Sequence, residues 1–137
     1  MKKKKIVFLC TGNSARSQMA EGLMRYFRGD EFEVYSAGVE PKGVNPLAIS
    51  VMKEIGIDIS SQNSKHLDEY LEKNFDYIVT LCDHAATTCP LFPGGGERIH
   101  QGFPDPAAVK GAEEEQTETF RKVRDELKKF ILSFPKV

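Results

Sequence analysis

Cys10 and Arg16, with five residues between them in Cys10-Thr-Gly-Asn-Ser-Ala-Arg16-Ser17, have the types and spacing to do chemistry. A thiol, a turn of small residues and an arginine can form a cradle for a tetrahedral anion with a nucleophile at its floor. Thr11, Gly12, Asn13, Ser14 and Ala15 would turn their N–H groups toward the anion as the chain enters a helix N-terminus. The Arg16 guanidinium can grip two oxygens at once, which a lysine point charge cannot. The same positive field, with the Ser17 hydroxyl as donor, favours Cys10 as a thiolate. Gly12 is expected to permit the tight turn, and Asn13 to take left-handed backbone. A buried structural cysteine is the competing reading of any isolated Cys-x5-Arg match. Here a strand precedes the loop and a helix follows it, as the chemistry requires. No Gly-Lys-Ser/Thr stands where a Walker loop needs one.

A thiolate that attacks an oxyanion needs an acid for the departing oxygen. Asp105, in the stiff turn Phe103-Pro-Asp-Pro-Ala107, is the candidate, although Asp-Pro is also an ordinary turn element. Cys82 and Cys89 admit three readings: core thiols, a zinc site or a redox pair. Common zinc motifs pair their cysteines more closely than Cys82-Asp-His84-Ala-Ala-Thr-Thr-Cys89 does. Polar neighbours and Pro90 predict a surface segment for Cys89, which suits sequential thiol–disulfide exchange with a thiol at the strand end. His84 reads as a turn histidine, and His66 and His100 as ordinary polar residues.

These groups need elements to bring them together. Ile6–Leu9 reads as a buried strand and Ser17–Arg28 as a helix whose apolar face carries Ala20, Leu23, Met24 and Phe27. A second strand spans Phe32 to Gly38. Asn45-Pro46 predicts a helix start, with Leu47, Val51, Met52 and Ile55 on one face and Gly56 at its close. Ser64–Glu72 reads as a short polar helix, Tyr77–Leu81 as a third strand and Arg98–Gln101 as a fourth. Phe120, Val123, Leu127, Phe130, Ile131 and Phe134 mark a long amphipathic helix, with Glu113–Glu115 at its start, where negative charge suits the dipole. Continuous apolar strands alternating with helices predict an α/β fold: a four-stranded parallel sheet with helices on both faces. Cys10, Cys82 and Asp105 then share the edge at the strand C-termini, where open α/β sheets place ligands.

The chain has 137 residues, a net charge of −1 and a pI near 6.3. That length predicts one domain over residues 1–137. The charge gives no basis for nucleic-acid or membrane binding, and no stretch approaches the ~20 apolar residues of a span. Neither is there a signal peptide's apolar region, so a cytoplasmic protein with reduced thiols is expected.

Together, Val7–Gly22, Ser36-Ala-Gly38, Val79-Thr-Leu-Cys82, Cys89-Pro90, Gly102-Phe103 and Asp105-Pro106-Ala107 resemble the thioredoxin-coupled arsenate reductases, built on the low-molecular-weight protein tyrosine phosphatase fold. The resemblance covers essentially the whole chain. The Cys82 and Cys89 spacing separates reductase from phosphatase, because a phosphatase of this fold needs neither. It implies that Cys10 attacks arsenate, Cys82 attacks Cys10, and Cys89 resolves the Cys10–Cys82 disulfide. The resulting Cys82–Cys89 disulfide passes to thioredoxin, with no tightly bound cofactor. It further implies a monomer that also accepts phosphate or sulfate in the cradle and has side phosphatase activity. A low-molecular-weight phosphatase and a non-enzymatic oxyanion or redox sensor are the rival readings. Some members hold potassium through residues matching Asn13, Glu21, Ser36 and an aspartate. That last position is Lys65 here, so no metal is expected. Lys65 reads either as an ammonium reaching Glu21 or as a solvent-facing lysine on a polar helix.

Overall fold

The computed structural model describes residues 3–82, 85 and 96–135. Its strands are β1 (Lys4–Cys10), β2 (Phe32–Gly38), β3 (Tyr77–Thr80) and β4 (Glu97–His100). They form one all-parallel sheet in the order β2-β1-β3-β4. The central strand β1 is buried continuously from Ile6 to Cys10, the apolar run expected of a strand covered on both faces. At the sheet edge, β4 exposes Glu97, Arg98 and His100, charged and polar side chains that discourage further strand pairing.

Helices α1 (Arg16–Arg28), α2 (Pro46–Lys53) and α3 (Glu113–Leu132) pack against one another, and α1 also packs on β2. Ser36 of β2 meets Glu21 of α1, so by strand alternation Tyr35 faces the opposite side. There its ring packs edge-on against Tyr70 and Phe75, at centroid distances of 5.4 and 5.5 Å. The short 3₁₀ turn Leu67–Tyr70 thus helps cover the second face. Asn45 caps α2 as its sequence predicts, its side chain accepting from the Leu47 N–H at 2.8 Å. Such a cap contributes about 1 kcal/mol. Phe120, Val123, Leu127 and Ile131 seal α3 onto the core. Arg121 and the buried Arg124 of α3 both grip Glu54 at the end of α2.

The expected helix over Ser64–Glu72 contracts to Leu67–Tyr70. Residues 64–66 are extended instead, because they pair with the end of β2: the Gly38 N–H donates to the Lys65 carbonyl at 2.8 Å. Lys65 therefore does not sit on a helix.

Candidate active site

The loop from Thr11 to Ala15 joins the buried end of β1 to the first turn of α1. Every carbonyl from Thr11 to Ser14 is drawn outward by a neighbour. Thr11 O accepts from Glu40 N–H (2.8 Å), Gly12 O from Lys42 N–H (3.0 Å) and Ser14 O from Asn45 N–H (3.0 Å). Asn13 O accepts from the Gln18 side-chain amide at 3.0 Å, and Ser64 adds a second donor to Gly12 O at 3.2 Å. With the acceptors occupied, the loop presents its donors inward. Among the described residues, no acceptor takes the N–H groups of Gly12 to Arg16. Backbone donors at a helix start, lacking protein partners, form an anion site. Close packing against β2 holds the loop, since a side chain on Gly38 would begin 2.7 Å from both Thr11 O and Asn13 N.

Asn13, at φ +45°, is the left-handed residue of this turn, as anticipated. Gly12 is not: its φ is not positive, and a Cβ there would make only ordinary contacts. Asn13's amide holds the strained backbone by using all four of its hydrogen-bonding positions. Its Nδ2 donates to Ser17 Oγ (2.7 Å) and Ser36 Oγ (3.0 Å). Its Oδ1 accepts from Gln18 Nε2 (3.0 Å) and Lys65 N–H (2.7 Å). Ser17 accepts from Asn13 and lies within hydrogen-bond distance of Cys10, its Oγ 2.9 Å from Sγ. Ser36 likewise receives from Asn13 and donates to Glu21.

Glu21 is almost wholly buried and is neutralised by two cations. Arg25 Nη1 lies 2.8 Å from Oε2 and Lys65 Nζ 3.8 Å from Oε1. Both lone-pair positions of Asn13 are filled, and an ammonium already stands beside the carboxylate.

Arg16 extends from the first turn of α1 to the segment after β4. Its Nη1 donates to Phe103 O at 3.0 Å, and its Nη2 lies 3.9 Å from Asp105 Oδ2. Pairing continues past β4 to bring that segment here: Gln101 N–H bonds Thr80 O and Phe103 N–H bonds Leu81 O. Asp105 caps a 3₁₀ turn through Ala107 N–H (3.0 Å), so its turn-forming and site-facing roles coexist. Its side chain is 45% exposed. Cys10, the loop, Arg16 and Asp105 line one cavity of about 500 Å³, whose other wall includes Lys42, Val44 and Pro46.

Cys82 follows β3. Because Leu9 pairs with Thr80 and Leu81 N–H bonds Leu9 O, Cys82 draws level with Thr11. Thr11 Oγ1 lies 3.3 Å from Cys82 Sγ, and Ala85 N–H donates to the same sulfur at 3.4 Å. Both described cysteines, Cys10 and Cys82, are buried free thiols at one sheet edge. Cys89 and His84 lie outside the described residues.

The sequence pattern of the low molecular weight phosphotyrosine protein phosphatases matches residues 5–136. The chain belongs to this family. Within its range, the chain is similar to the arsenate reductase of Halalkalibacterium halodurans, 57% identical over 134 residues, covering 98% of this chain and 96% of that protein. Its fold is similar to that of an arsenate reductase solved in the oxidized state (TM-score 0.77, 33% identity, 93% of each chain). It is also similar to a thioredoxin-dependent arsenate reductase of Corynebacterium glutamicum (TM-score 0.68, 28% identity). That alignment covers 95% of this chain and 62% of the other.

Within this family fold, Cys10, Arg16, Ser17, Cys82 and Asp105 lie together at the C-terminal ends of the strands. The Thr11 contact with Cys82 and the buttressing by Gln18 and the Glu40–Asn45 strap were not predicted. Gln18 sits on a helix whose pattern reads only as amphipathic. The one legible signal for the strap was its position, directly after a strand that ends beside the loop.

Proposed function

We propose that this enzyme reduces arsenate to arsenite by a three-thiol relay, with reduced thioredoxin as electron donor. Arsenate enters the cradle of N–H groups and the Arg16 fork. The Cys10 thiolate, held by Ser17, attacks arsenic, and one oxygen leaves as water with a proton from Asp105. Cys82 then attacks the Cys10 sulfur. A sulfur–sulfur bond forms, the sulfur–arsenic bond breaks, and its electron pair stays on arsenic, so As(V) becomes As(III) as two thiols become a disulfide. Cys89 attacks Cys82 and frees Cys10. Thioredoxin reduces the remaining Cys82–Cys89 disulfide by the same exchange chemistry.

The observation that carries this reading is the bond between Thr11 and Cys82, which puts a second thiol against the anion loop. Ester hydrolysis requires only Cys10 and an acid. Cys82 Sγ accepts from the Ala85 N–H and lies within hydrogen-bond distance of Thr11 Oγ1, which holds the sulfur beside the loop. The cradle accepts phosphate by the same geometry, so slow aryl-phosphate hydrolysis accompanies reduction.

The test is arsenite formation from arsenate with thioredoxin, thioredoxin reductase and NADPH, compared with aryl-phosphate hydrolysis. Continuous NADPH consumption matched by arsenite is expected. Hydrolysis without reduction would favour the phosphatase reading, and a single stoichiometric oxidation the sensor reading.

A further inference from the structure

We propose that Lys42 is a second anion-recognition residue, one that directs the cradle toward inorganic oxyanions over their aryl esters. The inference rests on the oxyanion site described above. Lys42 lies in the strap after β2, where its N–H is fixed to Gly12 O at 3.0 Å. From there its side chain runs over the loop. Its Cδ and Cγ lie 3.6 and 3.7 Å from where a side chain on Gly12 would begin. The exposed lysine thus lines the same cavity as Cys10 and Arg16. Among the described residues, no carboxylate pairs with its ammonium. Arg16 is already engaged by Phe103 O and faces Asp105.

The direction of attack gives that ammonium a specific partner. Cys10 is at the floor, and an in-line displacement sends the departing oxygen away from the nucleophile, toward the mouth. In an inorganic oxyanion this oxygen carries no substituent and accepts a hydrogen bond from a lysine. In an aryl ester it is the bridging oxygen, a weak acceptor shielded by its ring. Nor does the mouth compensate the ring: no aromatic side chain lines the cavity among the described residues. An aromatic ring gains most from another aromatic face.

The experiment compares wild type with Lys42→Met and Lys42→Arg. Inorganic phosphate affinity is measured by calorimetry, together with the arsenate KM and kcat/KM for para-nitrophenyl phosphate. Lys42→Met should weaken phosphate binding and raise the arsenate KM by about three- to tenfold, the scale of one exposed charge contact. The loss should shrink as salt rises, since exposed charges are screened beyond about 8–10 Å at physiological ionic strength. Hydrolysis of the aryl ester should fall by less than about twofold, a smaller effect because the local contact is missing. Lys42→Arg should retain phosphate binding. Lys122→Met, at an exposed position of α3, controls for net charge and should leave phosphate affinity unchanged. An unchanged phosphate affinity in Lys42→Met, or an equal loss for the aryl ester, overturns the inference. Calorimetry reads phosphate whether or not arsenate is turned over, so this failure is distinct from failure of the reductase reading.

Discussion

At the scale of single residues, the site is held by a buried hydrogen-bond network. Asn13 donates to Ser17 and Ser36, and Ser17 meets Cys10 Sγ. Asp105, half-exposed and opposite Arg16, is the proton donor on this reading. Asp105→Asn should slow the first thiol attack by ~10²–10⁴-fold, because an amide cannot supply the proton. Phosphate binding should change little. Pre-steady-state formation of the first arsenate adduct checks this, and an unaltered rate would return Asp105 to a turn-former. Lys65 supports a second prediction. Its ammonium stands near Glu21, so replacing sodium with potassium at constant ionic strength should leave the Tm unchanged. Lys65→Asp would set two carboxylates side by side and create potassium-dependent stabilisation. Potassium stabilisation of the wild-type protein would contradict the assignment.

At the scale of elements, α2 and α3 are joined by Glu54, which Arg121 holds with two nitrogens and Arg124 with a third. The hydrogen bonds from Arg121, then those from Arg124, pull the Glu54 carboxyl down to about 2 against the opposing effect of desolvation. The folded value lies below the ordinary 4.5, so this clamp contributes fully above pH ~4.5. Its contribution fades as the pH falls toward 2. Glu54→Gln should therefore lower the Tm at pH 7, with the gap to wild type closing progressively between pH 4.5 and 2. A gap that stays constant across that range would mean the charge is not what joins the helices. The same scale explains the strap: three N–H groups at Glu40, Lys42 and Asn45 hold three loop carbonyls. The strap thus helps prepare the anion site by removing acceptors from it.

At the scale of the whole molecule, a parallel sheet gathers the ends of β1, β3 and β4 on one edge. Distant residues thereby share one cavity, with Cys82 beside its loop. Cys89→Ser tests the relay as a unit. One turnover should occur and then stop, with a Cys10–Cys82 disulfide trapped, because no internal thiol remains to resolve it. Peptide mapping after a single arsenate exposure reads the trapped bond. Sustained thioredoxin-dependent reduction by this variant would refute the relay, whereas aryl-phosphate hydrolysis should persist in its reduced form.

The sequence by itself determined the Cys10-to-Arg16 loop and its strand–loop–helix frame. Those depend on neighbours within a few residues and on local periodicity. Ile6–Leu9 is buried and continuous, Asn45 caps its helix, and Asn13 takes the left-handed turn, all by local physics. Tertiary structure decided what depends on distant partners. Residues 64–66 gave up the predicted helix because the end of β2 supplied better partners for their backbone. Thr11 met Cys82 because the register of β1 and β3 set them level across 71 positions. Lys65 turned toward Glu21 for the same reason. A charge pairs with the opposite charge that the fold brings near it, and local sequence pattern does not encode that distance.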